Sequence, residues 1–330
     1  MHASETIAHG LQRDDSRALP APFAAGAAGT AGAAGAAAAP MRVTAHIHGW
    51  LLLLPAAVLL VIFTHYPAVA TIIDSLFSTP RGRRSAAFVG LDNYQAMLED
   101  PVFWRALGNN IAYAASVIPL TIALALTMAV WVNGKIAGRP FLRLAFFAPT
   151  VLPMIAVANI WLFFYSPGYG LFDQMLGVFG IATHNWLGDE HSALACLIAV
   201  AVWKDAGFFM IFYLAALQQM SPQLAEAAAI EGASSWYFFR RVTFPLLMPT
   251  TLFVLVNAII NSFRLIDHIV VMTQGGPDNT TALLLFYIYE VGFKFWDTAY
   301  AATLTVVLLA LLAFLALGQF LILDRRIHYQ

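Results

Sequence analysis

From Trp50 onward, stretches of twenty or more residues almost free of charge alternate with short polar connections. A helix rises about 1.5 Å per residue, so about twenty apolar residues cross a hydrocarbon core roughly 30 Å thick. The pattern predicts six spans, at Trp50–Phe77, Gly108–Val132, Leu142–Tyr165, Ser192–Leu217, Leu246–Thr273 and Thr298–Leu323. The expected fold class is an all-α integral membrane protein with six transmembrane helices. Pro67, Pro119, Pro149, Pro153 and Pro249 fall inside these spans and mark kinks, because a membrane bundle satisfies freed carbonyls through neighbouring helices.

Polar residues interrupt two spans. An ionised side chain at bilayer depth costs about 2.5–3.5 kcal/mol on insertion scales, so such groups face protein or water. The fourth span carries Trp203, Lys204 and Asp205, with Phe208 one turn on. Lys204 and Asp205 are adjacent, about 100° apart around a helix, and are expected to find different neighbours. In the fifth span, Asn257, Asn261, Arg264 and His268 fall within a sector of about 60°. This polar stripe is the candidate lining of a solute path, with Asp267 placed to pair with Arg264. The competing reading is an interhelical hydrogen-bond seam.

Between the fourth and fifth spans lies SPQLAEAAAIEGASSWYFFRRVTFP, residues 221–245. Ser221 with Pro222 starts a helix and Gly232 ends it; Ser234 or Ser235 caps a second helix toward Arg240 and Arg241, ahead of Pro245. Two short helices meeting at a glycine suit the grip of a partner better than chemistry.

Composition agrees with a bilayer setting: 60% of the 330 residues are hydrophobic and 11% charged, against about 25% charged in soluble domains. The formal net charge of −1 and scattered basic residues argue against nucleic acid. One cysteine, Cys196, excludes an internal disulfide and reads as a small core residue. Residues 1–46, rich in alanine and glycine, predict a disordered cytoplasmic tail ahead of a membrane domain at 47–330. An even number of spans puts both termini on one side. That side carries ten basic residues, including Arg240 and Arg241, against Arg81, Arg83, Arg84, Arg105 and Lys294 opposite. The positive-inside rule makes it the cytoplasm, with the loop at about 218–245 there too.

Phosphate-binding glycine loops, zinc-protease motifs and nucleophile elbows are absent from the sequence, so no catalytic residue and no enzyme activity is assigned. His184 and His191 flank Asp189 and Glu190 without metal-ligand spacing, so no metal site is assigned either.

Glu226-Ala227-Ala228, then Gly232, Val242 and Phe244-Pro245, resembles the EAA loop of binding-protein-dependent ABC importer permeases. Val242 and Phe244 stand where the family usually has isoleucine and leucine. Gln274-Gly275-Gly276-Pro277 with Asn279-Thr280-Thr281, and Val89-Gly90-Leu91-Asp92-Asn93-Tyr94, resemble the carbohydrate-uptake branch that includes maltose, sugar and glycerol-phosphate permeases. The resemblance implies a type I, maltose-permease-like transmembrane domain in a bacterial inner membrane. It further implies a second homologous permease, two cytoplasmic ATPases binding ATP and magnesium, and an extracytoplasmic solute-binding protein. No cofactor would then sit in this chain. Glu226, Ala227, Ala228, Gly232 and Pro245 become the ATPase-coupling candidates, and Trp203, Lys204, Asp205, Phe208, Asn257, Asn261 and Arg264 the candidates for the solute path. A self-sufficient secondary transporter or channel, using the intramembrane charges as a relay, is the alternative.

Overall fold

The computed structural model describes residues 39–82, 85–134 and 137–323, and these are helical apart from their connections and one isolated bridge between Phe77 and Phe88. Contacts divide the chain into two units, one ending at Thr64 and one starting at His65. In the first, helix α1 spans Ala39–Leu60 and runs into a π-turn at Val61–His65; its large side chains from Trp50 to Phe63 are exposed. Of the tail expected over 1–46, residues 1–38 lie outside the described residues, and 39–46 belong to this helix. The likewise expected basic contributions of Arg83, Arg84, Lys135, Arg325 and Arg326 fall outside them too.

The second unit opens with α2 (Tyr66–Asp74), α3 (Asp92–Glu99) and α4 (Pro101–Asn133). Helices α5 (Arg139–Val151), α6 (Met154–Phe164), α7 (Leu171–Val178) and α8 (Ala193–Gln219) follow. Next come α9 (Pro222–Ile230), α10 (Ser235–Phe238), a π-turn at Phe239–Thr243, and α11 (Phe244–Leu246). The chain ends in α12 (Met248–Arg264), α13 (Asp267–Met272), α14 (Leu284–Tyr289), a π-turn at Glu290–Lys294 and α15 (Thr298–Leu323).

Among the described residues, five helical stretches are long and apolar enough to cross a membrane, six if the bent pair α5–α6 counts as one span. Of the kinks expected in the third span, the one at Pro153 is a full break, whereas Pro149 stays inside α5. Pro153 keeps the residue before it out of helical backbone, and Leu152 is extended (φ −75°, ψ 137°), so α5 and α6 meet at 102°. By contrast, Pro119 sits inside an uninterrupted α4. The fifth span is also divided, because Leu265 is extended between α12 and α13.

Helices α4 and α8 form the most extensive packing. Buried Ala125 and Ala129 of α4 share a cluster with Ala206 of α8. Small side chains let two backbones approach in a bilayer, where dispersion contacts and interhelical hydrogen bonds drive association. Larger residues, Phe209, Met210 and Tyr213, fill the space toward Leu247 and Val254.

At one end of the unit, Asp100 joins three segments. Its Oδ1 accepts from Val102 N at 2.8 Å and caps α4, while its Oδ2 accepts from the hydroxyls of Tyr287 (2.5 Å) and Tyr300 (2.7 Å). Nearby, Asn109 Nδ2 donates to the carbonyls of Asn279 (2.7 Å) and Ala282 (3.0 Å), and buried Asn110 accepts from Leu284 N at 3.2 Å. These bonds pin the loop carrying Gln274–Thr281 onto α4.

Candidate functional site

The polar segment after α8 folds as two short helices. Met220 and Ser221 are extended and Pro222 occupies the first turn of α9, although the Ser221 hydroxyl makes no cap bond. Gly232, at φ +73°, closes α9: its N–H reaches Ala229 O at 3.2 Å and Ala233 N–H reaches Ala228 O at 2.9 Å. This paired bonding is a Schellman motif, which needs a left-handed residue and so favours glycine. Ser234 caps α10 by accepting from Tyr237 N at 3.2 Å.

Helix α9 has no buried residue, and Ile230 is 88% exposed with Leu224 also exposed. Glu226 and Pro245 are exposed as well. The two-turn α9 thus presents aliphatic side chains that nothing else in the described residues covers.

The intramembrane candidates do not form one constellation. Lys204 makes no ion pair with Asp205 among the described residues; its ammonium donates to the carbonyl oxygens of Leu152 (2.8 Å), Pro149 (3.3 Å) and Thr150 (3.4 Å). These belong to the C-terminal turn of α5 and the break after it, where carbonyls lack helical partners and a cation is favoured. One turn on, Gly207 faces the same helix, and a Cβ there would stand 2.0 Å from Phe146 O. Trp203 packs edge-on against Trp161 at 5.5 Å and borders an apolar cavity of about 400 Å³ between α4 and α5.

Phe208 belongs to another group. It packs edge-on against Phe212 at 5.2 Å, and Phe212 lies 5.0 Å from Phe253 on α12. Asn257, one turn from Phe253, donates to its carbonyl at 2.8 Å. Asn261 is half-buried and Arg264 is exposed at the end of α12. The aromatic strip therefore joins Phe208 to the start of the polar stripe, while Trp203 and Lys204 serve the α5 side.

Two expectations need correction. Arg264 and Asp267 make no ion pair among the described residues, because the break at Leu265 separates their helices. His268 leaves the stripe for the same reason. It is fully buried on α13, with Nε2 3.1 Å from the Tyr113 hydroxyl on α4. The sequence pattern does not show the Tyr113–His268 pair, since a stripe drawn on one continuous helix hides a break that no glycine or proline marks.

On α7, Asp173 accepts from Gly168 N (2.7 Å), Trp186 Nε1 (2.8 Å) and His184 N (3.4 Å). Those donors hold its carboxyl below the ordinary carboxylate range. The ring of His184 meets Asp189 Oδ2 at 3.3 Å and Ser192 Oγ at 3.2 Å.

Residues 102–329 match the family described as binding-protein-dependent transport system inner membrane component. The lactose transport system permease protein LacF of Rhizobium radiobacter is 34% identical over 280 residues, covering 83% of this chain and 93% of the relative. The trehalose/maltose permease protein MalF of Thermococcus litoralis is 32% identical, over 82% of this chain and 94% of its own. The sn-glycerol-3-phosphate permease protein UgpA of Salmonella typhimurium is 33% identical, over 85% and 95%. Among solved structures, a chain of a bacterial ABC transporter importing the acidic polysaccharide alginate superimposes with a TM-score of 0.75 at 22% identity, covering 86% of this chain and 99% of that one. That likeness carries the fold.

Proposed function

The chain belongs to the family of binding-protein-dependent transport system inner membrane components, and we propose that within it the chain lines the path of a sugar or a related polyol or glycerol phosphate. It is a membrane permease of an ABC importer rather than an enzyme. The relatives named for lactose, trehalose/maltose and sn-glycerol-3-phosphate support the substrate class.

The observation that carries the mechanism is the exposed α9 with its Schellman turn. Helix α9 enters a groove of a cytoplasmic ATPase, with Glu226 as hydrogen-bond acceptor, Ala227 and Ala228 allowing close backbone approach, and Gly232 and Pro245 setting the angles of entry and exit. Two such ATPases bind ATP and magnesium. A second, homologous permease completes the path, and an extracytoplasmic binding protein delivers the solute. ATPase closure then moves the spans as rigid bodies. Asn257, Asn261 and Arg264 face the solute, flanked by Phe208; Trp203 and Lys204 hold the adjoining α5–α6 elbow, with Asp205 beside them on α8 as a further path candidate. Both termini and the loop at 218–245 lie in the cytoplasm. A self-sufficient transporter would leave α9 without a role.

Reconstituting the chain with its ATPase, sister permease and binding protein tests this directly. ATP-dependent accumulation of lactose, maltose or sn-glycerol-3-phosphate is expected. Gradient-driven flux by this chain alone, with no ATPase requirement, would overturn it.

A further inference from the structure

We propose that the chain holds an anionic phospholipid where α10 meets the end of α4, with the phosphate on Arg240 and Arg241 and an acyl chain beside Trp236. The inference rests on the cytoplasmic placement of the 218–245 loop given above.

Two concavities meet there. The first, about 720 Å³, is an apolar groove between the last turns of α4, including Leu126, Val130 and Trp131, and the Trp236–Phe239 pair, whose rings stack at 5.7 Å. The second, about 670 Å³, is lined by Ser234, Tyr237, Arg240, Arg241 and Pro245, with Trp236 as the wall common to both. The second cup contains two cations and no carboxylate. Arg240 and Arg241 are exposed, and neither forms an ion pair among the described residues; Arg241 lies 6.0 Å from the centre of the Tyr237 ring.

The depth of the two concavities fits a lipid lying upright. The apolar groove runs along residues 123–131 of α4, within a membrane-length helix that stops at Asn133, so hydrocarbon reaches it from the bilayer. The basic cup lies beyond, on the connecting segment. Trp131 and Trp236, both exposed, stand at the boundary where indole rings favour the headgroup layer. An apolar groove leading to an acid-free pair of guanidinium groups has the complement of a phosphatidylglycerol-like molecule: bidentate donors for a phosphate at one end and aliphatic and aromatic walls for part of an acyl chain at the other. An acidic patch on an ATPase would engage the arginines but would leave the groove beside α4 unexplained.

The test uses the assembled transporter, purified and exchanged into mild detergent with equal phosphatidylglycerol and phosphatidylethanolamine. Bound lipid is counted by native mass spectrometry, and ATPase stoichiometry is read from the same spectra. Phosphatidylglycerol is expected to be retained preferentially. Arg240→Gln with Arg241→Gln should weaken its retention by about thirtyfold, as expected for two basic groups at an anionic surface. Ala123→Phe, which narrows the groove and leaves both arginines, should also displace lipid while the ATPases remain bound. Equal retention of the two lipids, or unchanged retention in both variants, would overturn the proposal. So would loss of the ATPases from the arginine variant with its lipid count unaltered. Labelling of Ser235→Cys in sealed cells reads the sidedness separately: reaction with an impermeant reagent added outside would refute the cytoplasmic leaflet, whatever the lipid count.

Discussion

Lys204 and Gly207 stand one turn apart on α8 and both act on α5, the lysine by closing its C-terminal carbonyls and the glycine by admitting its backbone at Phe146. Together they make the α5–α6 elbow a defined joint. Lys204→Met keeps the aliphatic stem but leaves the carbonyls of Pro149, Thr150 and Leu152 without this donor. We predict a loss of about 1–3 kcal/mol, the usual range for stranding a partner group. Thermal unfolding of the purified complex checks it, with Lys204→Arg recovering part of the loss; an unchanged midpoint in the methionine variant would refute the capping role.

At Gly207 the prediction is steric. A methyl group there would stand 2.0 Å from Phe146 O, so α5 must move away. Gly207→Ala should destabilise the chain by roughly 1–3 kcal/mol, and Gly207→Leu should prevent accumulation of folded protein. Wild-type yield and melting temperature for the alanine variant would show that the two backbones have slack.

Gly232→Val places a β-branched residue at φ +73°, a strain of about 1–2 kcal/mol, and should disorganise the turn after α9. Glu226→Lys reverses the charge of the expected acceptor. Both variants should insert normally, lose ATP-driven uptake and co-purify with less ATPase. Full uptake by either would remove that residue from the coupling role.

The exposed end of α12 gives a different readout. Asn261→Leu with Arg264→Leu should lower uptake or alter preference among sugars and polyols while the ATPases stay bound. Identical kinetics for several solutes would return both residues to packing.

Acid sensitivity is expected at Asp173. Its carboxyl titrates lower in the folded chain than in the unfolded one, so its contribution is present above the unfolded value of about 4 and disappears as pH falls through the folded value. Trp186→Phe removes one of the donors and should make the complex less stable at neutral pH, with a smaller further loss on acidification. Parallel unfolding curves for the two proteins across the acid range would refute this linkage.

The sequence displayed the membrane-length helices because twenty apolar residues admit few alternatives in a lipid setting, and it displayed the loop after α8 because Pro222, Gly232 and Ser234 each impose a local geometry. Leu152 before Pro153 announced a disturbance but not its size, since a bend of 102° depends on how α6 packs beyond it. The break at Leu265 had no local mark. It arises where α13 turns to bury His268 and Ile269 against α4 and α6. For the same reason the intramembrane polar residues read as one stripe in the sequence and as separate groups in space. Lys204 was visible as a charge, but its partners are main-chain oxygens about fifty positions away, which no side-chain pattern encodes.

The carboxylate of Asp100 meets hydroxyls that follow it by 187 and 200 positions. A ribosome must therefore deliver nearly the whole polypeptide before this clasp can close, and the early helices wait in the bilayer with that end unlatched. A photocrosslinking residue at Val102, which packs against the same cluster as Tyr300, on nascent chains arrested before and after the last helix emerges, would time the closure with both hydroxyls kept. Crosslinking only in the longer chains is the outcome this ordering requires.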